Sequence, residues 1–192
     1  MENKYTSEKI FKEIDFSVDG FPAGEYEQCT FLNCNFSNCS LSDSRFIECE
    51  FDGCDVSMAK LNNTSFRDVS FNESKLLGLR FENCNQFGLA LAFKNCILND
   101  SSFYKTSLKK TVFDSCSLHD TDFTNCDLTG AELIECDLQG AVFSSTNLEK
   151  ADLRTSINYI IDPEINKIKK AKFSIPGVIG LLNKYDIKID LS

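Results

Sequence analysis

Apolar residues recur at every fifth position through the second half of the chain. These central positions are Phe103, Leu108, Phe113, Leu118, Phe123, Leu128, Leu133, Leu138, Phe143 and Leu148. A period of five fits neither an α-helix, with about 3.6 residues per turn, nor a β-strand, with about two. A coil fits if each five-residue unit turns the chain through a quarter circle, because every fifth side chain then points to a common axis. Four units, or 20 residues, would complete one turn.

Residues that lie 20 positions apart also tend to be of the same type. Phe103, Phe123 and Phe143 form one such series. From residue 16 to residue 153, 27 of the 28 central positions are apolar or aromatic, and Gln86 is the exception. Self-similarity at a fixed period is typical of a solenoid in which each repeat buries its apolar side against the next. The sequence therefore predicts about seven stacked coils.

The individual units have a small residue, a polar residue, Leu or Phe, and then two polar residues. Ala-Glu-Leu-Ile-Glu from Ala131 and Ala-Asp-Leu-Arg-Thr from Ala151 are examples. These units resemble the repeats of the pentapeptide repeat family, and they cover nearly three quarters of the chain. The resemblance implies an all-β solenoid, a right-handed quadrilateral β-helix, here with a C-terminal helical cap.

The pattern divides the chain into three segments. Residues 1–14 have balanced charge and are expected to form an N-terminal cap with a short helical turn. Residues 15–155 would form the β-helix, and residues 156–192 a C-terminal helical segment for capping or dimerisation. In that last segment, Asp162 before Pro163 predicts the N-cap of one helix.

A second helix is predicted to start at Ser174, where Pro176 follows. The alternation of Ile187 and Ile189 predicts a short strand. A solenoid needs a cover over its open end, but the tail is more apolar than one lid requires. We therefore expect a self-complementary dimer interface. Its residues would be Ile175, Val178, Ile179, Leu181, Leu182, Tyr185 and Ile187.

The repeat slips by two residues between Phe81 and Phe93. The simpler interpretation is a bulge in which Phe87 replaces Gln86 in the core and Gly88 relieves backbone strain. The alternative is a small contact loop.

Ten cysteines occupy the small-residue slot, two places before a central position. They are Cys29, Cys34, Cys39, Cys49, Cys54, Cys84, Cys96, Cys116, Cys126 and Cys136. A buried thiol behaves as a small apolar group, so we expect reduced structural cysteines, although stacked coils would place some pairs within disulfide range. No Cys or His spacing indicates a metal site, and the single histidine, His119, is expected to be solvated.

Other features limit the functional class. No apolar run approaches the length of a membrane span, and the first residues are too charged for a signal peptide, so the protein is expected to be cytoplasmic. The sequence contains no Ser-His-Asp set and no phosphate-binding loop. We therefore expect a non-enzymatic protein without a cofactor.

The net charge of −9 is unevenly distributed. Residues 111–153 contain nine acids and one base, Lys150. At about one charge per 1.7 Å of B-DNA, this acidic band reaches a DNA-like charge density over two coils, whereas the whole solenoid does not. Local DNA mimicry and a simple solvated surface both remain open. The band comprises Asp114, Asp120, Asp122, Asp127, Glu132, Glu135, Asp137, Glu149 and Asp152.

The acidic repeats with their C-terminal tail resemble the topoisomerase-interacting group of the family. That group includes the quinolone-resistance pentapeptide proteins and the microcin B17 immunity protein, and the tail from Asp162 to Asn166 resembles the latter. The resemblance implies a partner, DNA gyrase or topoisomerase IV, bound in its DNA groove and protected from a toxin or quinolone. It implies no direct binding of nucleic acid. A general interaction scaffold is the alternative.

Overall fold

The computed structural model describes residues 4–190, and all its strands pair in parallel. The strands are β1 (Lys4–Ser7), β2 (Ile10–Lys12), β3 (Gly24–Glu27), β4 (Thr30–Leu32), β5 (Arg45–Ile47), β6 (Glu50–Asp52), β7 (Ser65–Arg67), β8 (Val69–Asn72), β9 (Leu91–Lys94), β10 (Val112–Asp114) and β11 (Glu132–Ile134). They form a four-stranded sheet in the order β1-β3-β5-β7 and a seven-stranded sheet in the order β11-β10-β9-β8-β6-β4-β2. The helices are α1 (Phe16–Asp19) and α2 (Ile179–Leu182), with 3₁₀ turns at Phe81–Asn83 and Asn183–Tyr185.

The predicted solenoid, with about seven turns, is confirmed. Partners lie 20 residues apart, as in Phe31 with Phe51, and 22 apart where β8 meets β9. Each turn has four sides, which we number by one set of central residues. Side 1 contains Phe123, side 2 Leu128, side 3 Leu133 and side 4 Leu138. The seven-stranded sheet lies on side 3, and the four-stranded sheet lies on the N-terminal half of side 2.

The core consists of stacked central residues. Phe123 is fully buried, and its ring stacks on Phe103 at 5.4 Å and on Phe143 at 5.3 Å between ring centroids. The small-residue slot also faces inward, and its hydroxyl and thiol groups donate to backbone carbonyls of the preceding coil. Thr146 donates to Phe123 O at 2.8 Å, and the Cys54 thiol to Phe31 O at 3.2 Å. These bonds explain why Ser, Thr and Cys share the slot, since each satisfies a buried polar group.

All ten cysteines are free and buried, which confirms the prediction of reduced structural thiols. Burial raises the pKa of Cys49 to about 11 and that of Cys54 to about 12. Both thiols are therefore protonated at neutral pH.

Most corners of the coil have a left-handed backbone at the last residue of the five-residue unit. Asn125 has φ of 56° there and Gly130 has φ of 67°. Asn, Asp and Gly tolerate this region better than other residues. The corner geometry therefore explains why these residue types recur at that position.

Residues 4–14 do not form the predicted helical turn, and residues 1–3 lie outside the described part of the chain. Residues 4–14 contain β1 and β2, which pair with β3 and β4 and extend the ladder by part of a coil. Phe11 stacks on Phe31 at 4.9 Å. Phe11 lies five residues before Phe16 and so continues the series of central positions. Its packing outweighs the weak preference of the flanking charged residues for a helical turn.

The register slip also differs from the prediction. Phe87 is 77% exposed rather than buried, and its ring lies 5.5 Å from the Arg67 guanidinium. Leu89, two residues further on, packs against the core instead. Gly88 has φ of 70°, so the expectation that this glycine relieves strain is correct.

Residues 163–171 do not form the predicted helix because the ladder continues through them. Lys167 pairs with Asn147 and Lys172 with Asp152. Asn166 is buried in the small-residue slot, where its side chain donates to Phe143 O at 3.0 Å and accepts from Thr146 N at 2.8 Å. Burial of this amide and of the coil backbone outweighs the local helix-start signal. Only four residues of the second predicted helix are α-helical, as α2, and residues 187–189 lie outside any strand.

Candidate functional site

Several acidic side chains have a structural role in the turns. The carboxylates of Asp122, Asp127, Asp137 and Asp152 each accept a hydrogen bond from the backbone N–H two residues later, at 2.8 to 3.2 Å. Asn35 and Asn147 make the same bond in the same slot. Asp and Asn favour such turns, so part of the acidic composition serves the fold.

The acidic band surrounds the solenoid, but its residues are concentrated on two adjacent sides. Asp122 lies on side 1, and Asp127 and Glu149 lie on side 2. The other six lie on sides 3 and 4 or at their corners. These six are Asp114, Glu132, Glu135 and Asp152 on side 3, and Asp120 and Asp137 on side 4.

Three residues of the band have a cationic neighbour. Lys109 pairs with Asp127 at 3.3 Å, and Lys94 lies 3.9 Å from Asp114. Arg154 and Lys172 pair with Asp152 at 2.8 and 3.1 Å. The Arg154 guanidinium holds the pKa of the Asp152 carboxyl well below its usual range.

A fourth residue of the band, Asp137, contacts a histidine and an asparagine instead. Its carboxylate contacts His119 Nε2 at 2.9 Å and accepts from Asn158 at 2.8 Å. Partial burial acts to raise the pKa of Asp137, but hydrogen bonds from Asn158 and His119 outweigh it and lower the pKa. Within residues 4–190, the other five acids of the band form no ion pair. These are Asp120, Asp122, Glu132, Glu135 and Glu149.

The C-terminal segment is held against the last coil by backbone and ionic contacts. Ile161 N–H donates to Gly180 O at 3.1 Å. The Lys184 ammonium lies 2.8 Å from Asp162 and 2.6 Å from Glu164, and it lowers the pKa of both carboxyls. The Tyr185 hydroxyl donates to Glu164 at 3.0 Å. The segment therefore docks through α2 and the turn that follows it.

The residues expected at a dimer interface lie on this docked segment. Ile175 is 90% exposed, and Tyr185 and Ile187 are at least half exposed. Val178 and Ile179 are also exposed, whereas Leu181 and Leu182 are half-buried. A cleft of about 790 Å³ adjoins them and is lined in part by Ile157 and Ile160, two exposed apolar residues that the sequence analysis missed. The sequence could have identified both residues, since they are apolar side chains at outward positions of the five-residue period.

No helix in the described part of the chain is long and apolar enough to span a bilayer. Among the same residues, no group of three or more His, Cys, Asp or Glu side chains could hold a metal ion.

Taken together, the parallel ladder, the 20-residue register and the inward central residues define a four-sided β-solenoid protein. A family model described as a pentapeptide repeat region matches residues 21–88 and 79–156. The chain belongs to the pentapeptide repeat family.

Among solved structures, the chain is similar to QnrB1, a plasmid-mediated fluoroquinolone resistance protein. One trypsin-treated form is 18% identical, with 98% of this chain and 99% of that chain covered and a TM-score of 0.61. A second is 17% identical, with 98% of each chain covered and a TM-score of 0.60. Full-length QnrB1 is 18% identical, with 96% of this chain and 100% of that chain covered and a TM-score of 0.51. At this identity the likeness concerns the fold. No curated protein matches the sequence.

Proposed function

We propose that the protein is a non-enzymatic partner of a type II topoisomerase, DNA gyrase or topoisomerase IV. Its acidic sides would occupy the basic groove that normally holds DNA and so protect the enzyme from a toxin or a quinolone. The observation that carries this proposal is the concentration of six band residues on sides 3 and 4. The shared fold with a fluoroquinolone resistance protein is consistent with it.

Electrostatics explain how such a surface would compete with DNA. Glu132 and Glu135 are exposed and unpaired within the described residues, so they can meet Arg and Lys side chains at little desolvation cost. Complementary charge mainly raises the association rate and selects the partner. The interaction should weaken above about 0.15 M salt, where the Debye length falls below about 8 Å.

The experiment compares two triple variants from the same coils. The first is Glu132→Gln, Glu135→Gln and Asp137→Asn on sides 3 and 4. The control is Asp122→Asn, Asp127→Asn and Glu149→Gln on sides 1 and 2. Each removes three negative charges, and each Asn can retain the turn hydrogen bond that Asn147 already makes in this slot.

Both variants are titrated into gyrase and topoisomerase IV assays with and without a quinolone or microcin B17. We expect the first triple to slow association and to weaken protection more than the control does. Equal losses would mean that only net charge matters and would rule out the two-sided surface. If the wild-type protein has no effect on either enzyme at micromolar concentration, the scaffold interpretation replaces the topoisomerase proposal.

A further inference from the structure

Six lysines in the C-terminal half of the protein lie on side 2 or at its corner with side 3. We call them the lysine stripe. They are Lys109, Lys110, Lys150, Lys167, Lys169 and Lys170. With Asp127 and Glu149, the two acids of this surface, they give a local charge of +4, although the whole chain carries −9.

The register places these lysines in columns. Lys110, Lys150 and Lys170 occupy the same left-handed corner, with φ of 59°, 61° and 62°, and Gly130 fills the intervening coil. Lys167 continues the ladder formed by residues 107, 127 and 147. At a spacing of about 4.8 Å between adjacent strands, the stripe extends about 14 Å along the solenoid.

The charges of the stripe are available to a ligand. All six lysines are exposed. Lys109 pairs with Asp127 at 3.3 Å, and between residues 4 and 190 the other five form no ion pair. Three other cations of the C-terminal part, Arg154, Lys172 and Lys184, are all paired with carboxylates. Five of the six lysines of the stripe are therefore free to bind an external anion.

The remaining outward residues of the surface indicate which anion fits. They are small and polar: Ser107, Thr129, Gly130 and Asn147. The surface thus offers no aromatic ring for stacking an unpaired base and no apolar side chain for insertion into a bilayer. Lysine contacts phosphate as a point charge without reading base sequence. A straight row of lysines on a flat surface suits the regularly spaced phosphates of a duplex.

We propose that the lysine stripe binds the phosphate backbone of double-stranded DNA. The family resemblance implied no direct binding of nucleic acid, but side 2 of the C-terminal half carries six lysines and only two acids. Binding at the stripe is independent of any topoisomerase, and it leaves sides 3 and 4 free.

The test measures fluorescence anisotropy of a labelled DNA duplex of about 30 base pairs at several salt concentrations from 50 to 200 mM. The variant is Lys150→Asn, Lys169→Gln and Lys170→Asn, in which Asn suits the left-handed corners. The control, Lys60→Gln, Lys75→Gln and Lys94→Gln, removes three charges elsewhere. We expect wild-type binding with a dissociation constant of about 10⁻⁴ to 10⁻⁶ M, typical of non-specific binding.

The stripe variant should bind the duplex at least tenfold more weakly. Its plot of log affinity against log salt should be less steep by about 2 to 3, because each phosphate that a lysine no longer neutralises reduces the slope by about 0.9. The control should change affinity less than twofold. Absence of wild-type binding at 50 mM salt, or equal weakening in both variants, would overturn the proposal. So would binding only to vesicles containing phosphatidylserine, since the occupant would then be a membrane surface.

Discussion

At the scale of single residues, position within the five-residue unit determines what a side chain does. The same residue type has opposite environments at different positions: Phe123 is fully buried in a stack of rings, whereas Phe87 in the register slip is 77% exposed. Periodicity predicted the first correctly. It could not predict the second, because a slip offers two competing alignments and only packing against the neighbouring coils chooses Leu89 over Phe87.

Phe123→Ala should lower the free energy of unfolding by about 3 to 5 kcal/mol, because it leaves a cavity in a packed core. Phe87→Ala makes the same chemical change at the surface. It removes only the interaction of the ring with the Arg67 guanidinium and should cost about 1 kcal/mol or less. Chemical denaturation of both variants measures the difference. Equal destabilisation would contradict the assignment of inward and outward positions.

The cysteines should react slowly in the folded protein. Thiolate is the reactive form, and burial raises the pKa of Cys49 to about 11 and that of Cys54 to about 12. With a thiol-specific chromogenic reagent at pH 8, we expect little labelling in native buffer and ten reacting thiols after denaturation. Reaction of most cysteines within seconds in native buffer would show that the slot is accessible.

At the scale of elements, parallel backbone pairing between successive coils outweighs local sequence signals for a helix. Asp162 with Pro163 is a good helix start in isolation, yet residues 163–171 continue the coil because Asn166 satisfies buried backbone groups from the slot. The sequence showed that the tail differs from the repeats. It could not show where the coil ends, since the amide of Asn166 substitutes for the expected Ser, Thr or Cys.

Docking of α2 depends on a glycine. Gly180 lies against the backbone of Tyr159, and an added methyl group would overlap the carbonyl oxygen of Tyr159. Gly180→Ala should favour the helix locally by about 1 kcal/mol yet release the segment from the last coil.

Limited trypsin digestion provides the measurement, because release of the segment would break the ion pairs that hold Lys184 against the last coil and speed cleavage there. Asn183→Ala, at an exposed neighbouring position, is the control and should be cleaved at the wild-type rate. If Gly180→Ala were as resistant as the wild type, the contact between Gly180 and Tyr159 would not hold the segment.

At the scale of the whole molecule, exposed lysines collect on side 2 of the C-terminal half, and exposed apolar residues collect at the C-terminal end. Net charge predicted an acidic protein, but it could not predict the lysine stripe because its members are up to 61 residues apart in sequence. Only the 20-residue register brings them together. The apolar end, in contrast, is largely contiguous in sequence and was predicted from it.

Dimerisation through the C-terminal segment can be tested with the double variant Ile175→Asp and Ile179→Asp. Both side chains are exposed, so the substitutions should leave the fold intact and reduce the mass in solution from dimer to monomer. The control is Val142→Asp, which changes an exposed apolar residue on side 1. This variant should remain dimeric. Sedimentation equilibrium distinguishes these results, and a monomeric wild type at tens of micromolar would refute the interface.

The two-residue slip between β8 and β9 has a consequence for how the protein can change in length. A deletion of five residues would remove one corner and rotate everything downstream by a quarter turn, so that the acids of sides 3 and 4 would no longer align with the N-terminal coils. A deletion of 20 residues would shorten the solenoid by about 4.8 Å and preserve the orientation. The segment Asn85 to Leu89 absorbs its two extra residues without adding a corner. This segment therefore lengthens one turn by two residues without rotating the C-terminal coils relative to the N-terminal coils.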